Sequence, residues 1–480
     1  MRCITLAAVC FTVSALAWSD LGASQIAAEN RLQLLLDSLD GIRKKNNIAA
    51  LGLALVASDK VIWNGSLGVM SHKSRKATDD ETLYRIGSIT KSFTSLAALK
   101  LQERGLLQLS EPINKWSTQR FYQNRWQSNH PLQIDQLLEH TAGLQDMVQA
   151  EWDYSKPQAE SLQQTLLLYP DARQVQWQPG MHSSYSNAGA ALAGFVLEQT
   201  SGKSYEEIID ATLFKPLAMH NSSVLPPKNI QRLATGYDTD GTTAIPYWHI
   251  IFRPAAAISS TTTDMANFVQ MLINKGRFRG RTVFNPQSIE RMENPSTTLA
   301  ARHQLSFGYG LGNYQWLRDG ILFHGHGGDA DGYLSRYGYS HSNNSGYFLV
   351  INAFQGRSLN AMRGLIERYL TQGVEVPMAP APAVLSNQQK AKVLGHYQAI
   401  TTRFRRTESD KLTVTEHTGL LFSQLNQDDK AQLIPVNAKL YRRKNENMAT
   451  IAIVDGDDGK TYFQGDMGNF VKTLEVNAKH

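Results

Sequence analysis

Leu32, Leu35, Leu36, Leu39 and Ile42 recur at helical spacing, which predicts an amphipathic helix over residues 25–46. The period then shortens: Leu51 to Ala57 and Lys60 to Met70 read as two strands of a hairpin around Ser58-Asp59. From 88 to 290 the apolar positions follow a mostly helical pattern, broken by Gly, Pro and Asn. Strand-like runs return at 308–316, 320–325, 332–340 and 346–353. Met362, Leu365, Ile366 and Tyr369 then mark one face of a helix over 358–370. Strands at both ends of a helical middle predict an α+β fold. Its antiparallel sheet is assembled from N- and C-terminal pieces and flanked by helices, with a helical subdomain between.

After this the pattern changes character. Residues 373–386 carry Pro377, Pro380 and Pro382 among alanines, the composition of a stiff linker. Over 387–480 short runs such as Leu412-Thr413-Val414, Leu420 to Ser423, Gln432 to Val436 and Thr450 to Val454 alternate with turn residues. Many short, evenly spaced strands predict an all-β domain, a small barrel or sandwich. The expectation is a separate folding unit that contributes no catalytic group.

Composition narrows the class. The 480 residues, 42% hydrophobic and 19% charged, have the profile of a folded globular protein and suggest two or three domains. The net charge of +6 is spread over 48 basic and 42 acidic residues without a long run of one sign. The small clusters at Arg403, Arg405, Arg406 and at Arg442, Arg443, Lys444 lack stacking aromatics, so no nucleic-acid partner is expected. Arg2, the apolar stretch Cys3 to Val13 and the small-x-small run Ala15-Leu16-Ala17 predict a signal peptide over 1–17. That implies a periplasmic or secreted protein whose main folded domain spans 25–372. Both cysteines, Cys3 and Cys10, fall inside the leader, so no disulfide or cysteine metal site is expected in the mature chain. No stretch of about 18 apolar residues predicts a transmembrane helix.

Three short patterns carry chemistry. Ser88-Ile89-Thr90-Lys91 puts a hydroxyl and an amine at i and i+3, on one face of a helix. Serine is a weak nucleophile until a neighbouring base takes its proton, and a desolvated lysine can do so. Ser88 also sits at a helix start, where backbone N–H groups favour developing negative charge. Tyr185-Ser186-Asn187 lies in a turn-rich run leading into an apolar helix. A phenol near an ammonium can be held partly ionised and shuttle a proton, and the Asn amide can bind a carbonyl. His326-Gly327-Gly328 stands at the edge of a predicted strand, where glycines admit a substrate backbone and the imidazole can hold an anionic group. Each pattern alone occurs by chance or as an ordinary capped helix start.

Together and in this order they resemble the serine β-lactamase and penicillin-binding-protein superfamily, the branch of class C β-lactamases, D-alanyl-D-alanine carboxypeptidases and family VIII esterases. Leu137-Leu138-Glu139-His140-Thr141-Ala142-Gly143-Leu144, Thr262-Thr263-Asp264-Met265 and Phe307-Gly308-Tyr309-Gly310-Leu311-Gly312 resemble further signposts of that family. The resemblance covers about residues 28–370. It implies a β-lactamase/transpeptidase-like fold, and the C-terminal part resembles the lipocalin-like β-barrel appended to some members. It implies that Ser88 forms an acyl-enzyme, that Lys91 accepts its proton and that Tyr185 relays protons. Asn187, His326, Gly327 and Gly328 would contact substrate, and the backbone N–H groups of Ser88 and Asp329 would form the oxyanion hole. No cofactor or metal is implied, and the partner is a small-molecule or peptide substrate. Oligomeric state stays open.

One departure matters. The family's β-lactamases carry Lys where this chain has His326, and histidine is more typical of its peptidases and esterases. The expected activity is therefore on esters or D-amino-acid peptides, with β-lactam hydrolysis as the alternative. Two other classes fit the sequence less well. His324-Gly325-His326 begins an H-x-H-x-D metal motif, but Gly328 stands where the Asp is needed. A non-catalytic sensor would not need all three motifs intact. His140 is expected to be structural, bonded to backbone in its loop. No G-x-S-x-G is present, which disfavours an α/β-hydrolase.

Overall fold

The computed structural model describes residues 12–58, 60–154, 160–401, 409–466 and 468–473, with side chains from Ile26 onward. Most of the expected leader, with Cys3 and Cys10, lies outside the described residues. Helix α1 runs Thr12–Lys45, a start well before the expected residue 25. The apolar stripe marks only the part of α1 that packs on the sheet, where Leu35 and Leu39 are buried. The preceding turns are alanine-rich, so propensity continues the helix without an apolar face.

The hairpin is strands β1 (Ala50–Ala57) and β2 (Val61–Gly68). Helices α2 (Thr90–Glu103), α3 (Asn187–Ser201) and α4 (Thr262–Ile273) belong to the middle of the chain. Strands β3 (Tyr314–Arg318), β4 (Ile321–Ala330), β5 (Tyr333–Ser340) and β6 (Ser345–Ile351) follow, and helix α5 (Gly356–Thr371) closes the unit. One six-stranded antiparallel sheet results, ordered β2-β1-β6-β5-β4-β3. Chain-terminal pieces meet in register at its centre, with Leu53 opposite Leu349. Residues alternate between two cores. Leu51, Leu53, Leu55, Leu349 and Ile351 pack under α1 and α5. Ala54, Val56, Phe348 and Val350 face Phe93 of α2 and Phe268 of α4.

Two strand expectations are corrected. The run predicted from 308 becomes a strand only at Tyr314, because Gly312 adopts φ +57° and the chain loops before it. The strand predicted to stop at 325 continues to Ala330, so His326-Gly327-Gly328 lies inside β4 rather than at a strand edge. Glycines that read as breakers here mark close approach to a neighbour. A Cβ on Gly328 would sit 1.8 Å from the Ile86 carbonyl oxygen.

Beyond the proline-rich stretch, helix α6 (Asn387–Val393) was not expected. Ser386 and Gln389 cap it reciprocally. Eight antiparallel strands then close a barrel: β7 (Gly395–Ala399), β8 (Lys411–His417), β9 (Leu420–Leu425), β10 (Ala431–Pro435), β11 (Leu440–Arg443), β12 (Ile451–Asp455), β13 (Thr461–Gly465) and β14 (Gly468–Lys472). Leu412, Val414, Leu421, Ile453, Phe463 and Phe470 fill it. A further apolar cluster spans barrel and sheet unit, joining Leu440, Val454 and Tyr462 to Met181, Leu299 and Leu305. No helix among the described residues is long and apolar enough to cross a membrane.

Candidate active site

Ser88 sits in a single 3-10 turn, Gly87–Ile89, leading directly into α2. The turn is possible because Gly87 takes φ +52° and lacks a side chain. A Cβ there would lie 2.7 Å from the backbone nitrogen and oxygen of Asp329 in β4. The serine turn and the strand carrying H-x-G are thus in backbone contact. Asp329, whose N–H is expected to form the oxyanion hole with that of Ser88, lies against the residue that precedes the nucleophile.

Lys91 is 2% exposed, unusual for a lysine. Its Nζ lies 3.1 Å from Ser88 Oγ, 2.7 Å from Asn187 Oδ1 and 2.8 Å from the Ala255 carbonyl oxygen. Three acceptors match the three donors of an ammonium group. Asn187 is oriented in turn by Asp146, which accepts from its backbone N–H at 2.6 Å and its side-chain Nδ2 at 3.2 Å.

Tyr185 hydrogen-bonds to the Ser88 side chain, and its ring centroid is 4.6 Å from Lys91 Nζ. Burial pushes its phenol well above the ordinary value of 10, against a smaller pull from the Ser88 bond. Burial therefore favours the protonated phenol.

His326 is 3% exposed, and burial, aided by the Lys91 charge, pushes its pKa down to about 3. The imidazole is neutral, and its partners fix the tautomer. Nδ1 is 2.5 Å from the Gly327 carbonyl oxygen and must donate, so Nε2, 2.7 Å from Tyr309 Oη, accepts the phenol proton. Tyr309 Oη is in turn 3.1 Å from Nε2 of His140, whose Nδ1 accepts from the Ser186 backbone N–H at 3.1 Å. A one-directional chain of neutral donors thus runs from Ser186 through His140 and Tyr309 to His326. His140 also stacks on Tyr185 with ring centroids 4.2 Å apart, and holds φ +58° with its carbonyl bonded to the Ser184 N–H. It is bonded to backbone in its loop, as its sequence context suggested.

Ser88, Lys91, Tyr185, Asn187, His326 and the Gly87–Asp329 contact thus come together. His324, the other half of H-x-H, does not join them: it stacks on Tyr339, with its ring centroid 5.8 Å from His341. Asp146 and Tyr309 were not singled out from the sequence. Their only signal was their place within or beside two of the family-like signposts.

Ser88 opens onto a cleft of about 970 Å³ whose walls include Phe307, Tyr314, Trp248 and, from the barrel, Gln464, Asp466 and Asn469. Buried Gln464 accepts from the Ala300 N–H at 2.8 Å, and its Nε2 donates to the Met181 carbonyl oxygen at 2.8 Å and to His182 Nδ1 at 3.1 Å. Asn469 Nδ2 donates to the Ser183 carbonyl oxygen at 3.0 Å. The β13–β14 hairpin therefore fastens the segment that leads into Tyr185.

This chain belongs to the β-lactamase family, which it matches over residues 36–370. It is 27% identical over 235 residues to protein flp of Staphylococcus aureus (strain MRSA252), covering 48% of this chain and 46% of that one. It is 26% identical over 219 residues to penicillin-binding protein 4* of Bacillus subtilis (strain 168), covering 44% and 47%. The chain spans less than half the length of these curated relatives. Its fold resembles an octameric penicillin-binding protein homologue from Pyrococcus abyssi, with TM-score 0.61, 21% identity, and 92% and 100% of the two chains covered. It also resembles the D-alanine carboxypeptidase AmpC of Burkholderia cenocepacia, with TM-score 0.57, 18% identity, and 72% and 99% covered.

Proposed function

We propose that this protein is an exported serine hydrolase that forms an acyl-enzyme on Ser88 and acts on esters or D-amino-acid peptides. The observation that carries this reading is the buried Lys91 amine at 3.1 Å from the Ser88 hydroxyl. In the proposed route Lys91 acts as the neutral amine, its two N–H groups on Asn187 and the Ala255 carbonyl and its lone pair toward Ser88, and takes the Ser88 proton as Oγ bonds to the substrate carbonyl carbon. The oxyanion is met by the N–H groups of Ser88 and Asp329. Tyr185, protonated and bonded to Ser88, is suited to deliver a proton to the leaving group. Lys91 returns its proton to Tyr185, and water then attacks the acyl-enzyme ester, giving its proton to the Lys91–Tyr185 pair, which returns one to Ser88 as the acid leaves. Asn187 orients Lys91 and substrate.

Choice of substrate rests on His326. With its pKa pushed to about 3 it donates no fixed positive charge to a drug carboxylate. Slow or negligible β-lactam turnover is expected. Steady-state kinetics on nitrocefin, p-nitrophenyl butyrate and a D-Ala-D-Ala peptide, each against Ser88→Ala, test this. The ester or peptide should give the highest kcat/KM, and intact-mass spectrometry with a fluorophosphonate should show one adduct that Ser88→Ala lacks. Nitrocefin as best substrate would overturn the specificity, and an adduct surviving in Ser88→Ala would overturn the nucleophile.

A further inference from the structure

Three residues before the nucleophile, Arg85 pairs through its backbone with Ser259 and is 2% exposed. No hydrogen bond or ion pair from the described residues reaches its guanidinium, and Nε is buried without a partner. Among the described residues the ring of Tyr247 lies over it, with the centroid 4.8 Å from Cζ. A π face offsets only part of the cost of taking a guanidinium out of water, and a buried cation without a counter-charge is strongly disfavoured. The group adjoins a cavity of about 40 Å³, room for a few waters or one compact anion.

The other polar groups on that cavity are mostly engaged. Arg253 pairs with Glu206 at 2.5 Å and donates to the Glu160 carbonyl oxygen at 2.8 Å. The Glu160 carboxylate accepts the Tyr154 hydroxyl. His249 is held below its ordinary pKa by burial and by Arg85, so it is a neutral ring beside the guanidinium. His249, Ile250 and Ile251 line this cavity and the catalytic cleft alike.

We propose that the Arg85 cavity is a monovalent-anion subsite adjoining the catalytic cleft, occupied by a carboxylate of the substrate or by a free anion such as chloride or acetate. The anion supplies a directly contacting counter-charge, which no described residue gives Arg85, and steadies the 247–251 segment that walls the cleft. The substrate-carboxylate form rests on the serine-hydrolase reading; the anion site itself does not.

The test uses the full chain, with ionic strength held constant by gluconate, which is too large for the cavity. Chloride or acetate should raise Tm saturably, by roughly 2–4 °C. Arg85→Met, which replaces an unpaired buried cation with an apolar chain of similar length, should fold and lose that response. Arg85→Lys should keep part of it. A second arm compares p-nitrophenyl butyrate with the glutarate monoester. A KM lower for the glutarate by roughly tenfold, abolished by chloride or by Arg85→Met, identifies the occupant as substrate carboxylate. Equal KM values with the Tm response intact identify a free anion. A wild-type Tm indifferent to both anions, or a response unchanged in Arg85→Met, would overturn the proposal in favour of water bridging Arg85 to Glu160. Fluorophosphonate labelling of Ser88 in the same samples reports separately on the hydrolase reading.

Discussion

Lys91 gives its donors to a side-chain hydroxyl, an amide and a backbone carbonyl, so its position depends on three separate elements. Lys91→Ala is expected to lower kcat by a factor on the order of 10² to 10⁴ on p-nitrophenyl butyrate. If Lys91 and Tyr185 act as one proton relay, the double variant with Tyr185→Phe should be little worse than either single one. Additive losses would separate them. Tyr309→Phe makes a different cut: it removes the proton that His326 Nε2 accepts and leaves Ser88, Lys91 and Tyr185 untouched. We expect kcat/KM to fall by roughly tenfold or more, since the hydroxyl both donates to His326 and accepts from His140, while fluorophosphonate labelling of Ser88 stays complete. A variant with unchanged kcat/KM would remove Tyr309 from the positioning chain. At this scale the sequence was informative where partners are close along the chain or lie in a recognisable motif, as Ser88 and Lys91 do. Asp146 and Asn187 are 41 residues apart, and nothing in local spacing couples them.

Among the elements, β4 and the β13–β14 hairpin set the shape of the cleft. The strand could be anticipated from its apolar start at Ile321 to Phe323, but not its length, because Gly325, Gly327 and Gly328 resemble a turn in composition. Their reason is tertiary: a Cβ on Gly325 would meet the Tyr337 carbonyl oxygen at 2.1 Å, and one on Gly328 would meet Ile86. Alternation of apolar residues carried the rest of the sheet, since β1 and β6 present different residue sets to two different cores. The hairpin was legible as strands, but its reach into the cleft was not, since Gln464 and Asn469 are ordinary polar strand residues until their partners are known. Gln464→Ala would leave the Ala300 N–H buried without its partner, at a cost of about 1–3 kcal/mol, and the Met181 carbonyl with only its 3.4 Å bond from the Leu299 N–H. Thermal unfolding should show a lower Tm, and KM should rise more than kcat falls. An unaltered Tm would mean water replaces the amide and the hairpin does not fasten the Tyr185 segment.

For the whole molecule, three deeply buried histidines bear on acid stability. Burial is the main cause of each shift, holding His182 and His324 at about 4 and His326 at about 3, against an ordinary 6.5. Between those values and pH ~6.5 the unfolded chain binds more protons than the folded one, so stability falls as pH falls through that window. Asp135, raised to about 6 by burial and by Glu139, acts in the opposite sense as a single group. Tm should therefore decline from pH 7 to pH 4.5, and His324→Gln should flatten the decline; a Tm rising over that range would contradict the assignment. We also expect limited proteolysis to cut near 374–386, with the two pieces co-eluting on a sizing column because Met181, Leu299 and Leu305 pack on the barrel. Pieces that separate freely would show that the shared apolar cluster contributes little. That cluster was not visible in the sequence, where 387–480 read as a separate folding unit contributing no catalytic group. The placement of Gln464 and Asn469 makes the cleft a joint between two bodies. Since the sequence has cysteines only at positions 3 and 10, a thiol introduced as Asp466→Cys, at an exposed barrel residue lining the cleft, would carry a fluorescent reporter with only those two as competitors. Its polarity response to long and short substrates would read how far the joint parts during turnover.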